Sequence, residues 1–235
     1  MSGKKYYCVP DIHGRYDLLV KALAAIKLDS PSGATIIFLG DYIDRGTNSS
    51  AVLDALMAPE EGFEYICLMG NHEDMFIDVY NDRAGTTHYH DAYAAVELSG
   101  IDIDVYKKMT PEARKIALYS DKSQIHKYAA FMKTLLPFFI KDQNVFVHAY
   151  YDDRRSPDDQ KLADCYWLRM NNHEPYENSN QNLYLVHGHT PVERGPISTV
   201  NRVNLDCGAV FFGRLVIGVF KEGAQGLYDT IQVLS

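Results

Sequence analysis

Asp11 and His13 stand two residues apart, so in extended backbone a carboxylate and an imidazole project from one face and can grip the same cation. Similar polar clusters recur along the chain: Gly40-Asp41-Tyr-Ile-Asp44-Arg45-Gly46, Gly70-Asn71-His72-Glu73, His148, and His187-Gly188-His189-Thr190-Pro191. Asp41 carries two oxygens and could bridge two ions. Asn71 offers a neutral amide oxygen, while His148 and His189 offer imidazoles. Such a mixed nitrogen and oxygen set suits Mn, Fe or Zn better than Mg or Ca. Asp11, His13, Asp41, Asn71, His148 and His189 are together too many ligands for one catalytic ion that must keep open positions. Shared between two ions, they leave room for water and substrate. Two metals about 3.5–4 Å apart are the usual device for in-line attack on phosphorus.

Something must hold these clusters together, and each occupies or follows the end of a predicted strand. Tyr6 to Val9 is a short strand closed by Pro10, and Ala34 to Leu39 is a β-branched apolar run suited to burial on both faces. Tyr65 to Met69 is predicted as a third strand. Between them, Leu18, Leu19, Ala22, Leu23 and Ile26 recur with helical spacing. A second helix with the apolar face Val52, Leu53, Leu56 and Met57 can be capped by Ser49 or Ser50. A third helix is predicted from His72 to Tyr80. This alternation implies parallel strands, whose carboxyl ends are where ligands bind in an α/β sheet. Gly40, Gly70 and Gly188 each directly precede a polar candidate and permit sharp turns and close approach.

From about 82 to 136 the sequence reads as mostly helical. Asn144 to Val147, Leu183 to Val186, Arg202 to Leu205, Arg214 to Phe220 and Tyr228 to Leu234 follow as short strands. Connections too short for crossover helices predict that this end is antiparallel. With no internal repeat or linker, one domain over 1–235 is expected, the helical stretch at about 82–136 being an insertion.

Hydrophobic residues make up 46% of the 235 residues and charged ones 23%, as in an ordinary soluble globular protein. No apolar run is long enough to span a bilayer and no signal core is seen, so a cytoplasmic protein without membrane contact is expected. Cys8, Cys67, Cys165 and Cys207 form no close pair and read as reduced, buried thiols. A net charge of −8 without basic runs argues against nucleic-acid binding.

The ordered clusters resemble the phosphoprotein phosphatase family of metallophosphoesterases, which includes the serine/threonine phosphatases of eukaryotes and compact bacterial and phage enzymes. Its signatures Gly-Asp-x-His-Gly, Gly-Asp-x-x-Asp-Arg-Gly and Gly-Asn-His-Asp/Glu stand here as Pro10 to Gly14, Gly40 to Gly46 and Gly70 to Glu73. Gly188-His189-Thr190-Pro191 and the run from Asp206 to Phe211 look most like the bacterial and phage branch. Pro10 departs from the usual glycine, and Tyr150 stands where many relatives carry glycine. The resemblance implies an α/β fold in which two mixed sheets pack as a β-sandwich flanked by helices (α/β/β/α). It implies one divalent metal bound by Asp11, His13 and Asp41 and a second by Asp41, Asn71, His148 and His189, with Mn expected and Fe or Zn as alternatives. His72 would protonate the leaving alkoxide, oriented by Asp44, while Arg45 and Arg169 would bind phosphate oxygens.

The expected activity is hydrolysis of phosphomonoesters by in-line attack of a metal-bridging hydroxide. The substrates would be phosphoproteins or phosphopeptides bearing phosphoserine or phosphothreonine, with phosphotyrosine and small aryl phosphates further candidates. Cleavage of dinucleoside polyphosphates or another nucleotide anhydride is the rival, and a non-catalytic metal-dependent interaction module is a third reading. Oligomeric state is not encoded in any motif. Outside the core set, His187 reads as a strand residue facing its sheet, His88 and His90 as a solvated pair, and Trp167 as packing. Glu73 is expected to serve the first turn of a helix. Asp206 fits either a turn or a support for a ligand.

Overall fold

Alternating side chains along the first strand meet two different cores. In the computed structural model, which describes residues 4–81, 93–110, 113, 116–117, 120, 123–172, 174–176 and 182–235, β1 is Lys5–Val9. Its Tyr7 and Val9 join one apolar cluster, while Tyr6 and Cys8 join another. β2 (Thr35–Phe38) repeats the pattern, with Ile36 and Phe38 on one side and Ile37 on the other. A strand buried on both faces needs no polar alternation, which is why its sequence is continuously apolar.

One sheet has the order β10-β9-β1-β2-β3, where β3 is Glu64–Cys67, β9 Arg214–Lys221 and β10 Asp229–Leu234. Within it β1, β2 and β3 run parallel, and β9 is antiparallel to both β1 and β10. The second sheet has the order β4-β5-β6-β8-β7, built from Phe138–Lys141, Asn144–Val147, Tyr184–His187, Ile197–Ser198 and Arg202–Asn204 as β4 to β8 in turn. The sheets pack face to face through Cys8, Ile37 and Phe220 on one side and Phe146, Val186 and Val203 on the other. Outside the first sheet lie α1 (Tyr16–Asp29), with Leu18, Leu19, Ala22 and Ile26 buried, and α2 (Ser49–Met57), with Val52, Leu53 and Leu56 buried. Outside the second, Val145, Val147 and Leu185 pack against Tyr151, Cys165, Tyr166 and Tyr176. The result is the α/β/β/α sandwich that the resemblance implied.

Further helices are α3 (Asn71–Tyr80), α4 (Tyr93–Ser99), α5 (Ile103–Lys107), α6 (Ile125–Met132), α7 (Leu162–Trp167) and α8 (Ala209–Phe212). Among the described residues no helix is long and apolar enough to cross a membrane. All four cysteines are free.

Four expectations need correction. The late strands are not simply antiparallel, because β6 pairs in parallel with both β5 and β8. The return from β6 to β8 is made by a loop and the two-residue β7 instead of a helix. β4 was not expected at all. It forms a hairpin with β5 through Asp142 and Gln143, both at positive φ (51° and 62°), without the glycine that usually announces such a turn. At the start of α2 neither serine side chain caps the helix; Glu97 of α4 instead accepts from Ser50 N at 3.0 Å. Trp167 is 43% exposed and does not serve as core packing; its indole N–H donates to Asp74 at 3.1 Å.

Candidate metal centre

The polar clusters all leave the carboxyl ends of parallel strands. Asp11 and His13 follow β1, Asp41 follows β2, Asn71 and His72 follow β3, His148 follows β5 and His189 follows β6. Backbone bonds lock these loops together: Ile12 N and His13 N donate to Asp41 O at 3.0 and 2.9 Å, and Gly188 N donates to His148 O at 2.9 Å. Non-glycine residues avoid positive φ because Cβ crowds the backbone. Yet His13, Asp41, Asp44, Arg45 and His189 all adopt φ between 47° and 68°. Such concentrated strain persists only where the surroundings over-determine the loop.

Glu73 over-determines the loop that carries Asp41. Fully buried, its Oε2 accepts from Asp41 N (2.8 Å) and Gly70 N (3.2 Å), and its Oε1 from Tyr42 N (2.8 Å) and Ile43 N (3.2 Å). It does sit in the first turn of α3, reaching back to the preceding N–H as a capping box would. Sequence reasoning missed the larger role, which is to hold the loop of a neighbouring strand. Burial, then the charge of Asp41, pushes its carboxyl up, against the four backbone hydrogen bonds that favour ionisation.

Asp41 lies between two groups of donors. Its Oδ2 is 3.3 Å from His13 Nε2 and its Oδ1 is 3.5 Å from His148 Nε2. His13, Asp41 and His72 converge as one potential ligand group, and Asp41, His148 and His189 as another. In the second group Asn71 Oδ1 lies 3.0 Å from His148 Nε2 and 3.1 Å from His189 Nδ1, with the two imidazole nitrogens 3.1 Å apart. The other nitrogen of each ring faces a backbone carbonyl: His148 Nδ1 is 3.0 Å from Leu39 O, and His189 Nε2 is 3.2 Å from Trp167 O. A carbonyl can only accept, so those nitrogens carry the protons. Three lone pairs therefore face one another in a buried pocket, an arrangement that a cation relieves and that neutral side chains alone do not. His13 follows the same rule, with Nδ1 on Ile43 O at 2.8 Å and Nε2 turned inward. Burial lowers His13 and His189 to about 3 despite the opposing charge of Asp41, so both imidazoles are neutral and free to ligate.

The remaining candidates surround this pair. Asp11 is buried and accepts from His189 N at 3.1 and 3.2 Å; it shares the floor of the site without joining either three-residue group. A Cβ on Gly188 would run into Asp11 Oδ1, so only glycine lets the two loops approach. Arg45 Nη1 lies 2.6 Å from His13 Nε2, and its guanidinium stands 5.5 Å from the centre of the Phe211 ring. A cation and Arg45 cannot both take that one lone pair of His13. His72 Nδ1 is 2.7 Å from Asp44 Oδ2. Burial alone would lower His72, but the charge of Asp41 and the hydrogen bond to Asp44 outweigh it and raise the imidazole above its ordinary value.

Arg169 follows α7, exposed, and its charge acts on both His148 and His189. Asp206 is buried, accepts from Gly208 N at 2.9 Å and is pushed up to about 7 by burial first, with Asp41 adding to it. It therefore makes a turn and also loads charge onto Asp11. His187 ends β6, buried beside the site with Nε2 unpartnered among the described residues. His88 and His90 lie outside the described residues.

Residues 4–213 match the family model of the calcineurin-like phosphoesterases. The chain is similar to serine/threonine-protein phosphatase 2 of Salmonella typhimurium, 37% identical over 83 residues that make up 35% of this chain and 36% of that protein. It thus spans about a third of that relative's length. It is also similar to the asymmetrical bis(5'-nucleosyl)-tetraphosphatase PrpE of Anoxybacillus flavithermus, 26% identical over 92% of this chain and 91% of that one. In fold it resembles the cold-active protein-tyrosine phosphatase of Shewanella, with a TM-score of 0.62 and 18% identity over 96% of this chain and 80% of that one.

Proposed function

Since the chain belongs to the calcineurin-like phosphoesterases, we propose that it is a phosphomonoesterase acting on phosphoserine and phosphothreonine in proteins, with phosphotyrosine as a further substrate. The observation that carries this reading is the 2.7 Å contact between His72 and Asp44. An alkoxide leaving from an alkyl phosphate is a strong base and needs a proton in the transition state; a positioned imidazolium supplies on the order of 10²–10⁴ in rate. A phosphate leaving from an anhydride is a weak base and gains little from such an acid. A site that raises His72 and orients it is matched to the harder leaving group.

Members of this family work with a dinuclear divalent metal centre. Asp11, His13, Asp41, Asn71, His148 and His189 would hold the two ions here, with Mn our preferred assignment and Fe or Zn as alternatives. Bound there, the ions would lower the pKa of water and offset charge on the phosphoryl oxygens. Asp41 presents one oxygen toward His13 and one toward His148, the disposition of a bridging ligand. Arg45 and Arg169 would receive phosphate oxygens, which planar guanidinium groups match in bidentate fashion. Asp44 keeps the His72 ring in one orientation with its proton directed into the cleft. Phosphoproteins of the cytoplasm are the proposed partners.

A second reading, hydrolysis of a dinucleoside polyphosphate, draws support from the Anoxybacillus relative, whose match runs through 92% of this chain. Turnover of a phosphoserine peptide is to be compared with that of diadenosine tetraphosphate under one set of metal conditions. The peptide should be cleaved with the higher kcat/KM; faster cleavage of the dinucleotide would replace the first reading with the second.

A further inference from the structure

Arg169 also lines a cavity of about 450 Å³ whose walls include none of the six candidate metal ligands. Among the described residues its walls carry five cationic side chains (Arg154, Arg155, Lys161, Arg169, Arg202) against three acidic ones (Asp152, Asp164, Glu174), an excess of two positive charges in a chain whose net charge is −8. The pairing inside the cavity sharpens the imbalance. Asp152 is engaged by Arg154 at 2.7 Å and by Arg155 at 3.2 Å. Glu174 accepts from the Asn171 amide at 2.9 Å instead of meeting a cation within ion-pair distance. Lys161 and Arg169 form no ion pair among the described residues.

Arg202 is the telling member. It lies in β8 and is 1% exposed, yet among the described residues no carboxylate lies within ion-pair distance of it. Among the described residues Nη2 donates to the carbonyl of Asn171, Nη1 meets only the weak acceptor Met170 Sδ at 3.2 Å, and Nε has no partner. A guanidinium stays charged in proteins; the charge of Glu174 acts on Arg202 without reaching ion-pair distance, and a buried charge that no carboxylate directly bonds costs several kcal/mol. Folding such a group into a cavity wall makes sense where an anion completes it. Tyr150 and Tyr176, whose rings meet edge to face at 6.1 Å, narrow the same cavity, the Tyr176 hydroxyl being held by Tyr151 O at 2.6 Å.

We infer that this cavity is an anion subsite, receiving a second, non-reacting carboxylate or phosphate carried by the substrate. Arg169 belongs to both rooms: it lines the cavity, and its charge reaches His148 and His189. A substrate whose reacting phosphate lies on the metal side would place a neighbouring anionic group across Arg169, against Lys161 and Arg202. The subsite thus deepens the proposed function by favouring phosphoserine flanked by an acidic residue, and it rests on the reading of the centre as a phosphoester hydrolase.

The test is a ratio. Two phosphoserine peptides that differ only in an aspartate or an asparagine beside the phosphoserine are compared in the metal-loaded parent and in Lys161→Glu, an exposed site where the fold tolerates a charge change. The parent should prefer the aspartate peptide, and Lys161→Glu should cut that preference by about tenfold, the size of one charge-assisted contact. No preference in the parent, or an undiminished preference in the variant, would overturn the subsite. If neither peptide is turned over, the protein-phosphatase reading fails separately. The subsite is then judged by the same ratio between diadenosine tetraphosphate, which carries further phosphates, and p-nitrophenyl phosphate, which carries none.

Discussion

Asp44 Oδ2, in the loop after β2, and His72 Nδ1, in the first turn of α3, stand 2.7 Å apart. Both backbones are specified for this meeting: Asp44 adopts a φ of 67°, and His72 N is itself tied to Asp41 Oδ1 at 3.1 Å. Asp44 and Asp41 together raise the His72 imidazole, so its protonated form persists to higher pH than in an unfolded chain. Its contribution to stability is accordingly complete below the ordinary imidazole value and is lost as pH rises through the raised one. The acid needed for an alkoxide leaving group disappears over the same window. Asp44→Asn removes one of the raising influences while keeping the shape, so the alkaline limb of the kcat profile should move to lower pH. His72→Asn should abolish that limb and lower kcat by about 10²–10⁴ while metal content is unchanged. An unmoved limb in Asp44→Asn would remove Asp44 from this role.

Asp41 is expected to control both ions. It faces His13 with one oxygen and His148 with the other, and it belongs to both convergent ligand groups. Asp41→Asn leaves a neutral amide in place of the shared carboxylate. Elemental analysis should show less than full occupancy at both positions, and chelation should inactivate the variant at lower chelator concentration than the parent. Loss of one ion with full retention of the other would mean that Asp41 serves a single site.

Glu73 should matter for folding and for activity together. Four backbone N–H groups from two loops depend on its two oxygens. Glu73→Gln turns one oxygen into a donor and leaves two of those N–H groups facing it, at a cost of about 1–3 kcal/mol for each buried donor left unsatisfied. Urea denaturation should show a lower midpoint with an unchanged slope. Metal affinity should fall as well, because Asp41 N is among the groups released. A variant with parental stability would contradict the clamp.

How far the sequence foretold these relationships depends on their range. Asp11, His13, Asp41, Asn71, His148 and His189 were legible because strand ends expose whatever follows them, and short polar clusters after apolar runs mark those ends. The two-faced burial of β2 was legible for the same reason: Ile36, Ile37 and Phe38 leave no polar side to misplace. The clamp by Glu73 was not, since a glutamate three residues into a helix looks the same whether it caps its own helix or another loop. The β4–β5 hairpin escaped because Asp142 and Gln143 reach positive φ without glycine. Arg202 escaped as well, for alternation in β8 says only that it points inward, and nothing local tells a paired guanidinium from an orphaned one.

Two glycines with opposite surroundings make the closest test of how the site is shaped. At Gly188 an added Cβ would meet Asp11 Oδ1, the carboxylate that accepts from His189 N at 3.1 Å. At Gly223 the φ is +77°, but nothing lies within 4 Å of an added Cβ. Gly223→Ala should therefore cost about 1–2 kcal/mol of stability through backbone strain alone and leave metal content untouched. Gly188→Ala places its methyl group against a side chain, and relief requires the Asp11 carboxylate to turn away from the loop that carries His189. Titration with Mn²⁺ should show weaker binding in Gly188→Ala, with a fall in kcat/KM to match, while the thermal midpoint of the metal-free protein drops no more than that of Gly223→Ala. Equal metal affinity in the two variants would mean that the contact between Gly188 and Asp11 plays no part in shaping the centre.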